Sequence, residues 1–139
     1  MKRKLNCILL VDDDNDDNVF HQIILKEMDI ANSIHVVENG LEALAYLKRE
    51  NQPPPELIFL DINMPKMNGW EFLTQYKNLD AKQKSKVLIM ILSTSANPDD
   101  IQRAKKIEEV TGFQTKPLSK EMMIGILNEH FQDYMKHED

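Results

Sequence analysis

The chain has 139 residues, a formal net charge of −6, 42% hydrophobic and 29% charged residues, which is room for one globular domain able to fold without a disulfide or a structural metal. A pI near 5.2 argues against nucleic acid as a partner, and the lone cysteine, Cys7, excludes an internal disulfide and suits a reducing, cytoplasmic compartment. The longest apolar runs, residues 8–11 and 87–92, fall far short of a bilayer span, and the basic start Met1-Lys2-Arg3-Lys4 leads into an apolar stretch that stops at Asp12-Asp13-Asp14, so neither a membrane anchor nor a signal peptide is expected.

The first apolar run, Leu5–Val11, predicts a strand, and Val19, Phe20, Ile23, Ile24 and Met28 fall on one face of a following helix. Residues 33–37 form a short mixed strand suited to a sheet edge, followed by a helix carrying Leu41, Leu44, Ala45 and Leu47. Pro53, Pro54 and Pro55 make an extended connector to a third strand, Leu57–Leu60. Phe72, Leu73 and Tyr76 mark the third helix, where Trp70 opens the run, and residues 87–92 the fourth strand. Pro98 starts the fourth helix behind Asn97 as cap, with Ile101, Ala104 and Ile107 as its apolar face. A fifth strand over residues 112–115 precedes the last helix, striped by Met122, Met123, Ile126, Leu127, His130, Phe131 and Tyr134. Five such βα units predict an α/β fold, a mostly parallel sheet with helices on both faces, as one domain over residues 1–139 with its core at about 5–136.

In open α/β sheets ligands bind outside the carboxyl ends of the strands. The residues placed there are Asp12, Asp13 and Asp14 after the first run, Asp61 after the third, Ser93, Thr94 and Ser95 after the fourth, and Lys116-Pro117 after the fifth. If Asp12, Asp13 and Asp61 converge, each like-charge pair at ~4 Å costs about 4 kcal/mol at an effective dielectric near 20. One lysine does not neutralise three carboxylates, so either a pKa rises or a divalent cation binds, and hard oxygen ligands with room for water suit Mg²⁺. Lys116 then holds phosphate oxygens as a point charge and Ser93 donates a hydrogen bond, which describes a site that accepts a phosphoryl group on a carboxylate. Taken singly, each of these residues has an ordinary structural explanation as a cap, a turn or a solvated loop; the inference rests on all of them falling on one edge of one topology. An EF-hand loop on Asp12, Asp14 and Asp16 is excluded, because Asp17 stands where glycine is needed and Ile23 where glutamate is needed.

With these residues in place, the chain resembles the response-regulator receiver domain of two-component signalling, of the stand-alone, chemotaxis-regulator-like type. The resemblance is carried by Ile8-Leu9-Leu10-Val11-Asp12-Asp13, by Leu57-Ile58-Phe59-Leu60-Asp61-Ile62-Asn63-Met64-Pro65 and by Phe113-Gln114-Thr115-Lys116-Pro117. It implies a doubly wound, flavodoxin-like five-stranded parallel sheet of order 2-1-3-4-5. It implies Asp61 as phosphoacceptor, with Ser93 and Lys116 serving the phosphoryl group. Mg²⁺ would be held by Asp12, Asp13, Asp61 and the backbone carbonyl of Asn63. It also implies a switch made of Ser93, Phe113 and Pro117, the last after a cis peptide from Lys116. Phosphorylation would act on the surface of the fourth helix, fifth strand and fifth helix, around residues 101–107, Phe113, Met122 and Met123. The implied partners are a sensor histidine kinase or a histidine phosphotransfer protein and a downstream protein. Residues 92–100 are similar to single-domain receivers paired with phytochrome-type or other sensor kinases. No output domain follows residue 136 in this reading, so output is a protein contact or a relayed phosphate. Exposed Met122, Met123 and Met135 would suit a homodimer.

Thr94 follows Ser93 where many members carry alanine or glycine, and a bulkier residue there narrows access to Asp61. Phe113 lacks the hydroxyl of a tyrosine, so its readout is steric. Asn63 and Ser95 stand at positions tied to the dephosphorylation rate in the family. Asp14, Asp16 and Asp17 read as a solvated helix start, His21 and His35 as half-exposed surface residues, and Cys7 as a core residue. An enzymatic alternative resembles the haloacid dehalogenases through Asp12-x-Asp14, Ser93 and Lys116. It leaves Asp61 without a role, and only Glu121, Glu129 and Asp133 follow the lysine to supply a further acidic pair. A receiver that binds partners without phosphate is the third reading, and the intact set Asp12, Asp13, Asp61, Ser93 and Lys116 stands against it. No enzymatic turnover is expected beyond the domain's own phosphorylation and dephosphorylation.

Overall fold

The computed structural model describes residues 4–84, 87–94 and 97–132. Its elements run β1 (Leu5–Val11), α1 (Asn15–Met28), β2 (Ala31–Val37), α2 (Gly40–Lys48), β3 (Leu57–Leu60), α3 (Gly69–Tyr76), α4 (Ala81–Lys84), β4 (Leu88–Ser93), α5 (Pro98–Lys105), β5 (Val110–Thr115) and α6 (Lys120–His130). The strands form one parallel sheet of order β2-β1-β3-β4-β5, which makes the fold a five-stranded, flavodoxin-like α/β sheet. The mixed second strand is an edge, and the near-continuous apolar runs of β1, β3 and β4 are central, as burial on both faces requires. The one helix without a signal in the sequence is α4, a single turn that buries none of its residues.

Alternation along each strand divides the core between the two faces of the sheet. Cys7, Leu9, Val11, Ile58, Leu60, Ile89 and Ile91 pack with α2, α3 and Ala104 of α5. Ile8, Leu10, Phe59, Met90 and Leu92 pack on the other face with Leu25 of α1 and with Met123, Ile126, Leu127 and Phe131. Phe72, Leu73 and Tyr76 are buried as their spacing predicts, and Asn97 caps α5 with Pro98 at its start.

Two helices depart from the face read in the sequence. On α2 the buried set is Ala43, Leu44, Tyr46 and Leu47, while Leu41 is half exposed. The larger departure is α1, which turns Asn18, His21 and Leu25 inward and leaves Val19, Phe20 and Ile23 at 45–50% exposure. The predicted apolar stripe is therefore largely outside and a polar pair is inside. Among the described residues, no helix is long and apolar enough to cross a membrane.

Candidate functional site

Asp12 leaves the end of β1 with its amide still in the sheet, donating to the Val37 carbonyl at 3.0 Å. Its Oδ1 accepts the Asp14 amide at 2.9 Å, and its carbonyl accepts Asn18 Nδ2 at 2.9 Å. Asp14 then caps α1 by accepting the Asp17 amide, satisfying one of the helix's unpaired donors. The turn is thus built from its own carboxylates, and it leaves Asp12 buried and Asp13 exposed.

Asp61 sits at the end of β3, where its amide donates to the Val11 carbonyl at 2.9 Å, so strand pairing brings it beside Asp12. The loop after it folds back sharply, with Lys66 at φ 66° and the Gly69 amide donating to the Ile62 carbonyl at 3.1 Å. A side chain at Gly69 would place Cβ 2.7 Å from the Asp61 carbonyl oxygen and 2.8 Å from Ile62 Cα, so only glycine lets α3 start this close to the segment leaving β3. A capping box between Asn68 and Glu71 fixes the start of α3. The Met67 carbonyl accepts the Gly40 amide at 2.9 Å, tying this loop to the start of α2.

Carboxylate oxygens of Asp12, Asp13 and Asp61 all lie within 4.8 Å of one another. Lys116 enters the group from the end of β5, with Nζ 2.6 Å from Asp12 Oδ2, 2.7 Å from Asp17 Oδ2 and 3.9 Å from Asp61 Oδ2. Burial pushes the Asp61 carboxyl up to about 6, assisted by the charge of Asp12 and opposed by Lys116 and the Asn63 amide. Burial works to lower the Lys116 pKa, but hydrogen bonds to Asp12 and Asp17 and the charges of Asp61 and Asp12 outweigh it and hold the ammonium charged. Ser93, fully buried at the end of β4, pairs with Thr115 and accepts the Lys116 amide on its carbonyl at 2.8 Å. The arrangement is an acid-rich pocket with one cation, the electrostatics of a site that takes a hard divalent cation and an oxyanion together.

Asp12, Asp13, Asp61, Ser93 and Lys116 thus meet at one sheet edge. The Lys116–Pro117 peptide is cis. Phe113 is half-buried on edge strand β5 against the core, Asn63 and Thr94 are exposed, and Ser95 lies outside the described residues. Four expectations need correction. Asp17 is not a solvated helix-start residue but the second carboxylate on Lys116, because the first turn of α1 runs past the end of β5. His21 is not on the surface: it is 1% exposed, and its Nε2 accepts the Leu118 amide at 3.2 Å. Met123 is fully buried in the core and offers nothing to a dimer face; Met135 is outside the described residues. The fourth is the face of α1 already described: Val19 and Phe20, expected in the core, are half exposed. Trp70 packs on the core with the Arg103 guanidinium 4.4 Å over its ring. Cys7 is buried 3.5 Å from the Tyr46 hydroxyl, and burial raises its pKa, as befits a packing residue.

The parallel sheet of order 2-1-3-4-5 with an acid pocket at its carboxyl edge defines a receiver fold, and the family model of the response regulator receiver domain matches residues 8–128. The chain belongs to that family, whose members are signalling domains of two-component systems rather than metabolic enzymes. It is similar to response regulator Rcp1 of Synechocystis sp., with 39% identity over 99 residues, 68% of this chain and 65% of that protein. The solved Mn²⁺-bound form of Rcp1 superposes with a TM-score of 0.74 at 29% identity, covering 96% of this chain and 99% of that one. A two-component response regulator from Cytophaga hutchinsonii gives a TM-score of 0.80 at 29% identity, covering 91% and 97%. The phosphorylated cyanobacterial phytochrome response regulator RcpA gives 0.73 at 30% identity, covering 94% of each chain.

Proposed function

We propose that this chain is a receiver that accepts a phosphoryl group on Asp61 from a phosphohistidine, supplied by a sensor histidine kinase or a histidine phosphotransfer protein, and signals by contact with a downstream protein. The convergence of Asp12, Asp13 and Asp61 oxygens within 4.8 Å around the buried Lys116 carries the reading. In the transfer, an Asp61 carboxylate oxygen forms the new P–O bond as the P–N bond breaks, and the imidazole leaves with the electron pair. Lys116 and the Ser93 hydroxyl receive the phosphoryl oxygens. Asp12, Asp13, Asp61 and the Asn63 carbonyl would hold Mg²⁺, which when bound offsets the negative charge shared by the carboxylates and the phosphoryl group. The fit rests on the donor set: hard oxygen ligands, in excess over the Lys116 ammonium among the described residues.

Lys116 now holds Asp12 and Asp17, so a phosphoryl group on Asp61 competes for the same ammonium. Ser93 and Lys116 drawn toward it would pull on the ends of β4 and β5, with Phe113 as the aromatic that responds. The readout surface is α5, β5 and α6, without Met123. The half-exposed Val19, Phe20 and Ile23, on the helix that begins three residues after Asp12, are where a donor protein would seat to reach Asp61. Residues 1–139 are read as one receiver domain that takes its input from a sensor kinase of the phytochrome type, the type named in the description of RcpA.

Intact mass after incubation with acetyl phosphate tests the reading. One phosphoryl group is expected with Mg²⁺, none after chelation and none in Asp61→Asn. A gain that persists in Asp61→Asn would overturn it. Thr94→Ala, run alongside, is expected to take up the group faster.

A further inference from the structure

Two backbone amides hold the turn that carries Lys116. The Lys116 amide bonds to the Ser93 carbonyl at 2.8 Å, Pro117 has no amide hydrogen, and the Leu118 amide donates to His21 Nε2 at 3.2 Å. One side of the turn is therefore fastened to β4 and the other to a single imidazole on α1. An Nε2 that accepts an amide hydrogen carries no proton, so the ring is neutral with its proton on Nδ1. Burial, the largest influence on this imidazole, acts in the same direction. One turn earlier on the same helix face, Asn18 Nδ2 holds the Asp12 carbonyl at 2.9 Å. The inward face of α1 thus holds the backbone beside both partners of the Asp12–Lys116 ion pair, the Asp12 carbonyl through Asn18 and the Leu118 amide, two residues past Lys116, through His21. Asn18 and His21 are 5% and 1% exposed, and they line a void of about 10 Å³ with Asp12, Asp61, Phe59 and Leu92. An apolar side chain would fill this place at no desolvation cost, while Val19 and Phe20 next to it stay outside.

We infer that His21 is a positioning residue for Lys116: its imidazole fixes the Lys116–Leu118 turn so that the ammonium rests on Asp12 and Asp17, 3.9 Å from Asp61 Oδ2. The inference deepens the phosphoryl-acceptor reading and rests on it. It is tested on the whole chain with His21→Gln, whose Oε1 lies the same number of bonds from Cα as Nε2 and can accept the same amide, and with His21→Leu, which cannot.

The first readout is the Lys116 ammonium resonance by heteronuclear NMR, protected from exchange by its two carboxylate partners. It is expected to persist in the wild type and His21→Gln and to be lost in His21→Leu. The second is the rate of Mg²⁺-dependent phosphoryl gain from acetyl phosphate. His21→Leu is expected to be about tenfold slower and His21→Gln within about threefold of wild type, while in a Lys116→Ala background His21→Leu changes the rate by less than about twofold. An unchanged Lys116 resonance in folded His21→Leu, or an undiminished tenfold loss in the Lys116→Ala background, overturns the inference. If His21→Leu does not fold, the wild-type chain decides: a scalar coupling across the hydrogen bond between the Leu118 nitrogen and His21 Nε2 is expected, and its absence overturns the assignment. A wild-type chain that takes no phosphoryl group defeats the functional reading, and the Lys116 resonance still judges the role of His21.

Discussion

At the amino ends of the strands Lys4 meets Asp29 at 2.8 Å, with 40% and 72% of the two side chains exposed; at the carboxyl ends Lys116 meets Asp12 at 2.6 Å, with 7% of each exposed. The distances are alike and the consequences are not. Water screens the first pair, which contributes little beyond local order. The second is shielded, crowded by Asp17 and Asp61, and held in place by the Asp14 amide on Asp12 and by the Asp12 and Lys116 amides bonded to the Val37 and Ser93 carbonyls. The same sheet therefore carries a screened charged end and a desolvated one, and burial rather than contact distance separates them.

The largest test of that contrast is Asp61→Asn set beside Lys4→Ala. The first should abolish phosphoryl gain by intact mass and the second should leave its rate unchanged. The pH dependence comes next. The Asp61 carboxyl rises from 3.8 to about 6 on folding, so the folded state holds this proton more tightly. The stability it contributes is fully present below about pH 4 and is lost as pH rises through about 6, a loss of about 2–3 kcal/mol for this group. Urea unfolding without Mg²⁺ should show that decline in the wild type but not in Asp61→Asn, which should be the more stable of the two at pH 7. Added Mg²⁺ should narrow the difference. Gly69→Ala should cost about 1–3 kcal/mol in the same assay, because the new Cβ meets the backbone of Asp61 and Ile62. Lys4→Ala should shift stability by no more than about 0.5 kcal/mol. A larger effect would mean that the exposed end is not screened.

The core strands and the site's principal members were legible because their signals are local. A buried parallel strand must be apolar almost throughout, and Asp12, Asp61, Ser93 and Lys116 each follow such a run directly. The helix α6 was legible for a similar reason: Met123, Ile126 and Leu127 recur at helical spacing and all face the sheet. The reading failed on α1, where Val19, Phe20 and Ile23 have the same spacing and stand outside. Asn18, His21 and Leu25 also share a face, at intervals of three and four, and that pattern was the signal for the inward side. It was outweighed because hydrophobicity alone ranks a phenylalanine above a histidine.

The sequence by itself determined the order of elements, the parallel sheet and the set of acids, hydroxyl and lysine along one edge, since each follows from runs and caps within a few residues. Tertiary structure decided which face of α1 is buried, that Asp17 joins Lys116, and that His21 anchors the turn after it. These depend on partners about a hundred positions away, Leu118 for His21 and Lys116 for Asp17, whose amide and ammonium need acceptors only once the sheet has brought them against the helix. A buried donor without an acceptor is costly, and that cost favours the face of α1 that offers Asp17 and His21 to Lys116 and Leu118.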